Sequence, residues 1–64
     1  MSELQGMVVV VNGGTHGLGE ATVRSAAAKG VRGLVIVGRS AEKGAALAAE
    51  LTAAGTESIY VQAD

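Results

Sequence analysis

Two kinds of hydrophobic pattern alternate along this chain. Val8, Val9, Val10 and Val11 form an unbroken β-branched run. Such side chains favour strands, and a continuous apolar run predicts a strand buried on both faces. Residues from about Gly17 to Lys29 then predict a helix, with Leu18, Ala21, Ala26 and Ala28 as its small apolar positions. Gly30 supplies its stop. Leu34 to Val37 make a second apolar run, bounded by Gly33 and Gly38. Ser40 is a good N-cap, and Glu42 lies in the following first turn, where the helix dipole favours an acid. The helix it opens, from about Ala41 to Ala54, would bury Gly44, Leu47, Ala48 and Leu51, spaced i, i+3, i+4 and i+7. Gly55 ends it. Ile59, Tyr60 and Val61 predict a third strand that finishes near Gln62 to Asp64.

The order is β-α-β-α-β, which implies a parallel sheet of three strands. Right-handed crossovers that advance in one direction place both helices on the same face. The opposite face, lined by parts of the three apolar runs, is then left bare, although such strands need cover on both sides. The expected architecture is therefore α/β, one half of a doubly wound parallel sheet. The rest of that sheet is expected to be missing from residues 1–64 or donated by another chain. A segment this small buries only about 60% of its unfolded surface. Alone, it is expected to aggregate, to remain partly disordered or to be rescued by the missing segment.

Composition narrows the function classes. With no cysteine and one histidine, the chain offers no disulfide and a poor set of metal ligands. The formal net charge is −1 and no basic cluster occurs, which disfavours nucleic acid as a partner. The apolar run from Met7 to Val11 is too short for a signal-peptide core or a membrane span. The expected location is the cytoplasm.

The chemistry concentrates in the loop after the first strand, Asn12-Gly13-Gly14-Thr15-His16-Gly17-Leu18-Gly19. Its glycines are spaced Gly13-x-x-x-Gly17-x-Gly19. Gly13 would make a tight exit from the strand, Gly17 would let the backbone approach a pyrophosphate, and Gly19 would let the helix pack closely on the strand. The helix start aims free N–H groups at an anion. Thr15 would either donate to a phosphate oxygen or close the turn. His16 is either a source of partial positive charge near a phosphate or an ordinary loop side chain; no partner for acid–base catalysis lies in the loop. The second informative position is Arg39, about 20 residues past the glycines. An acid there would bind the ribose 2′-OH of NAD, whereas an arginine accommodates the 2′-phosphate of NADP. Arg39 offers a planar fork of donors, with Ser40 adding a hydroxyl or a backbone N–H. The alternative is a solvated cation beside a simple cap. Asp64, at the end of the third strand, either accepts from an adenine amino group or is a frayed terminal residue.

Taken together, these residues resemble the short-chain dehydrogenase/reductase family. The loop from Asn12 to Gly19 is similar to its Thr-Gly-x-x-x-Gly-x-Gly loop. Val35-Ile36-Val37-Gly38-Arg39-Ser40 resembles its NADP-preferring strand end, and Ala63-Asp64 its adenine-contacting aspartate. The resemblance implies a Rossmann-type fold and an NADP site built from Gly13, Thr15, His16, Gly17, Leu18, Gly19, Arg39, Ser40 and Asp64, with NAD the lesser alternative. It further implies that the intact protein passes hydride between a nicotinamide and a carbonyl or alcohol, as a homo-oligomer. It covers only about the first quarter of such an enzyme. Asn12 stands where the family has threonine, and His16 where a basic residue often precedes the second motif glycine. The family's Asn-Asn-Ala-Gly segment and its Ser, Tyr and Lys catalytic residues do not occur here. Tyr60 has no lysine four residues on, and the catalytic role is not assigned to it. Two other readings remain: a non-catalytic nucleotide-binding or assembly module, and a piece of a ketoreductase in a polyketide or fatty-acid synthase.

Overall fold

The computed structural model describes residues 6–13 and 17–63. The elements follow the predicted order: β1 (Val8–Asn12), α1 (Gly17–Ala28), β2 (Gly33–Gly38), α2 (Ala41–Ala53) and β3 (Glu57–Gln62). They form one parallel sheet in the order β1-β2-β3. The register pairs Val9 with Leu34 and Ser58, and Val11 with Ile36 and Tyr60. The next set on the other face pairs Val10 with Val35 and Ile59. Because strand side chains alternate between faces, the sheet has one face built on Leu34 and Ile36 and another on Val10 and Ile59.

Both helices cover the first face. Val23 and Ala26 of α1 and Leu47, Ala48 and Leu51 of α2 join Val11, Leu34 and Ile36 in a single core. In α2 the buried positions are the expected Gly44, Leu47, Ala48 and Leu51. In α1 they are Val23 and Ala26, with Ala27 packed alongside. Of the other small apolar positions read along this helix, Leu18, Ala21 and Ala28 are exposed, Leu18 at 85%. The i, i+3, i+4 spacing runs through Val23, and that line leaves Leu18 and Ala21 pointing outward.

Each helix ends in the same device. Gly30 and Gly55 have φ of +79° and +108°, the left-handed region that glycine enters without a Cβ penalty. After α1, Gly30 N–H donates to Ala27 and Val31 N–H to Ala26; after α2, Gly55 N–H donates to Thr52 and Thr56 N–H to Leu51. This pair of bonds is a Schellman motif. It stops each helix and turns the chain back toward the sheet, where Val31 is buried just before β2.

The second face carries no cover among the described residues. Val8, Val10, Ile59 and Val61 are 44–64% exposed, whereas Val35 and Val37, on the central strand, are half-buried. Parallel sheets are ordinarily covered on both faces, so half of this core is open. No helix of the described residues is long and apolar enough to cross a membrane.

Glycine also sets the spacing of α2 from β3. A Cβ placed on Gly44 would clash with the ring of Tyr60. Alanine is the better helix former by about 1 kcal/mol, but overpacking a filled contact costs about 1–3 kcal/mol. Gly44→Ala is therefore expected to lower the thermal midpoint of the protein despite the gain in helix propensity. An unchanged or raised midpoint in a scanning-calorimetry comparison would show that the contact can relax.

Candidate functional site

Parallel pairing brings the ends of all three strands to one edge. Asn12 lies beside Val37, which lies beside Val61, and Gly38 pairs with Gln62. The glycine loop, the Arg39–Ser40 turn and Ala63 thus leave the sheet side by side, where open α/β sheets bind ligands.

At the end of β1, Gly13 has φ +80°. Its N–H donates to the Val37 carbonyl at 2.7 Å, which ties the loop's first residue to the end of β2. Gly17 opens α1, and a Cβ added to it would meet nothing within 4 Å. Among the described residues, nothing covers the backbone there. Gly19 is half-buried in the first helical turn. Leu18, included with the loop as a binding position, is exposed beside it. Thr15, His16 and Asp64 lie outside the described residues.

At the end of β2, Arg39 is exposed. Among the described residues no carboxylate pairs with its guanidinium; both ion pairs belong to Arg24. Ser40 is the N-cap of α2, and its Oγ accepts from the Lys43 N–H at 3.4 Å. Accepting that bond leaves the Ser40 O–H free to donate, so the turn offers an anion this hydroxyl, the Arg39 fork and the start of a 13-residue helix. Glu42 in the same turn opposes this in part. The turn is held from β3. The Gly38 carbonyl accepts from the Tyr60 hydroxyl and from the Ala63 N–H at 3.0 Å. The Gln62 amide donates to the Arg39 carbonyl at 3.4 Å.

A separate cluster joins the outer faces of the two helices. Arg24 donates to Glu20, one helical turn back, at 3.0 Å, and to both carboxylate oxygens of Glu50 at 2.6 and 3.2 Å. It lies in an open groove of about 400 Å³ between α1 and α2 that also includes Gly17, Lys43 and Leu47. The bidentate bond to Glu50, with that to Glu20, raises the Arg24 pKa further, and the Arg24 guanidinium lowers that of Glu50. The Glu20–Arg24 half was available from the sequence as an i, i+4 pair. Glu50, 26 residues away, required the fold. Among the described residues no three His, Cys, Asp or Glu side chains gather where they could hold a metal.

Comparison with known proteins agrees with this arrangement. Residues 7–64 match the family model for short chain dehydrogenase. The chain is 38% identical over its whole length to the mitochondrial (-)-isopiperitenol/(-)-carveol dehydrogenase of Mentha piperita, of which it covers 23%. Among solved structures it resembles a short-chain dehydrogenase/reductase from Burkholderia phymatum in complex with NAD. There the TM-score is 0.88 at 34% identity, covering all of this chain and 22% of that one. It also resembles FolM alternative dihydrofolate reductase 1 of Brucella canis complexed with NADP. In that case the TM-score is 0.81 at 34% identity, covering 89% of this chain and 23% of that one. The chain belongs to the short-chain dehydrogenase family, and spans about a quarter of the length of these relatives.

The helix clamp has a defined pH signature. A carboxylate whose folded pKa is lowered stabilises the fold above its unfolded value, and that contribution is lost as pH falls through the folded value. Glu50→Gln should remove this component. The midpoint difference between wild type and variant is expected to shrink toward zero below the ordinary carboxylate range. It should also shrink at high salt, because the pair is exposed. A difference independent of both pH and salt would assign Glu50 a packing role instead.

Proposed function

We propose that this chain is the NADP-binding segment of a short-chain dehydrogenase/reductase. The intact protein would transfer hydride between the cofactor and a carbonyl or alcohol substrate. The observation that carries the reading is the end of β2. An exposed arginine without a carboxylate partner among the described residues stands at the start of α2, where an NAD site would place an acid. The relatives' own ligands include both NAD and NADP, so the choice between the two rests on Arg39.

In this reading the described residues bind and orient. Gly13 turns the chain out of β1, and the bare backbone at Gly17, at the start of α1, receives the pyrophosphate with the first helical N–H groups. Arg39 presents its fork to the 2′-phosphate, and Ser40, while capping α2, adds its hydroxyl donor. Thr15 and His16, within the same loop, and Asp64, toward the adenine, are assigned here from the sequence pattern. The nicotinamide, when bound, supplies or accepts the hydride. The acid–base residues would lie in the part of the protein beyond this segment. That part would also cover the open sheet face of Val8, Val10, Ile59 and Val61.

Two variants of the full-length protein test the site. A charged hydrogen bond contributes about 1.5–3 kcal/mol, so Arg39→Asp should weaken NADP by roughly 10- to 100-fold while favouring NAD. Calorimetric titration with both cofactors gives the ratio directly, and equal affinities in the unmutated protein would refute the NADP assignment.

Gly17→Val addresses the pyrophosphate. Its β-branched side chain would project into the space that is open in this structure and should abolish binding of both cofactors, with helix content retained in circular dichroism. Cofactor fluorescence that titrates normally with this variant would mean that the loop does not approach the phosphates.

A further inference from the structure

Tyr60 is the only tyrosine of the chain, and the binding site described above does not account for it. It lies on β3, half-buried, on the face that the helices cover. Its ring fills the space that Gly44 leaves open in α2, and its hydroxyl donates to the carbonyl of Gly38, the last residue of β2. One side chain therefore touches both elements that flank Arg39: the strand end before it and the helix after it.

The Gly38 carbonyl and the Arg39 N–H belong to the same planar peptide and point in opposite directions. Fixing that carbonyl fixes the direction in which the chain enters Arg39. Three donors from β3 and the residue after it act on this short stretch. The Ala63 N–H and the Tyr60 hydroxyl bond to Gly38 O, and the Gln62 amide bonds to Arg39 O. Of these, the tyrosine also packs against Gly44 of α2, so it links the carbonyl direction to the seat of the helix start.

We propose that Tyr60 is a positioning residue for cofactor choice: it holds the Gly38–Arg39 peptide and the first turns of α2 so that the Arg39 fork meets the 2′-phosphate. This rests on the reading of Arg39 given above. Loss of the hydroxyl would loosen the turn without leaving a buried acceptor unpaired, because the Ala63 N–H still bonds to Gly38 O. The effect should therefore fall on the fit of the phosphate rather than on folding.

The test is a double-variant cycle in the full-length protein, using Tyr60→Phe, Arg39→Ala and the pair, with calorimetric Kd values for NADP and for NAD. Tyr60→Phe keeps the ring against Gly44. It should raise the Kd for NADP by about 2- to 10-fold, the range of one neutral hydrogen bond, with less than a twofold change for NAD. In the Arg39→Ala background it should change neither. A Tyr60→Phe variant with unaltered NADP affinity, or with equal losses for both cofactors, overturns the inference, provided that Arg39→Ala collapses the preference for NADP. If Arg39→Ala leaves that preference intact, the Arg39 reading fails and this inference fails with it.

Discussion

The structure depends on β2 pairing in parallel with a strand on each side. Parallel strands cannot be joined by a tight turn, so each connection must cross the sheet, and here each crossing is a helix. A shared direction also gathers every strand exit at one edge. The glycine loop, the Arg39 turn and the end of β3 meet there because the register aligns Asn12 with Val37 and Val61. Hydrogen bonds across that edge, from Gly13 to Val37 and from Ala63 to Gly38, extend the ladder one residue past the strands. The loops leave from a fixed frame, on which the proposed site, largely backbone, would keep its geometry.

The same pairing explains why the sheet is apolar on both faces while, among the described residues, covered on one. Leu34 and Ile36 are buried beneath the helices, and the intervening Val35 and Val37 are half-buried on the other side. The covering layer is built from small residues. Val23, Ala26 and Ala48 take little space, and Gly44 takes less, which lets α2 settle over the Tyr60 ring. A bulkier helix would stand farther from the sheet and carry the start of α2 away from the end of β2. Close packing in the core and the placement of the site are consequences of the same small side chains.

Much of this was legible in the sequence. The valine run, the glycine stops and the capping serine each have a local cause, and the stripe Gly44, Leu47, Ala48, Leu51 was readable because one helix face carried nearly all of its larger apolar side chains. In α1 that contrast is weak. With alanine on several faces, periodicity alone did not distinguish Ala21 and Ala28, which are exposed, from Ala26, which is buried beside Val23. Leu18, in the first turn, also falls off the Val23 line and is exposed. Two further features join residues more than 20 positions apart, the Arg24–Glu50 pair and the contact of Tyr60 with Gly38. No local pattern encodes these; they exist because crossovers bring distant segments together.

Stability and recognition draw on different residues. The helix ends are fixed by Gly30 and Gly55, the helix pair by Arg24 with Glu20 and Glu50, and the core by Val23, Leu34, Ile36, Leu47 and Leu51. Of these residues, Glu20, in the first turn of α1, and Arg24 approach the proposed site, through the groove they share with Gly17. On the proposed reading, the phosphate loop contributes backbone N–H groups, which any nucleotide diphosphate can use, and the one side chain that distinguishes between the two cofactors is Arg39. It is exposed and free of carboxylate partners among the described residues, so a change there touches no core contact. Its aim, however, comes from β3, through the hydroxyl of Tyr60 and the amide of Gln62. The identity of the side chain is thus a local choice, while its direction is set by the neighbouring strand. An arginine introduced at this position in a related sheet would acquire the phosphate's charge complement, but would present it as effectively only where the neighbouring strand also fixes the peptide before it.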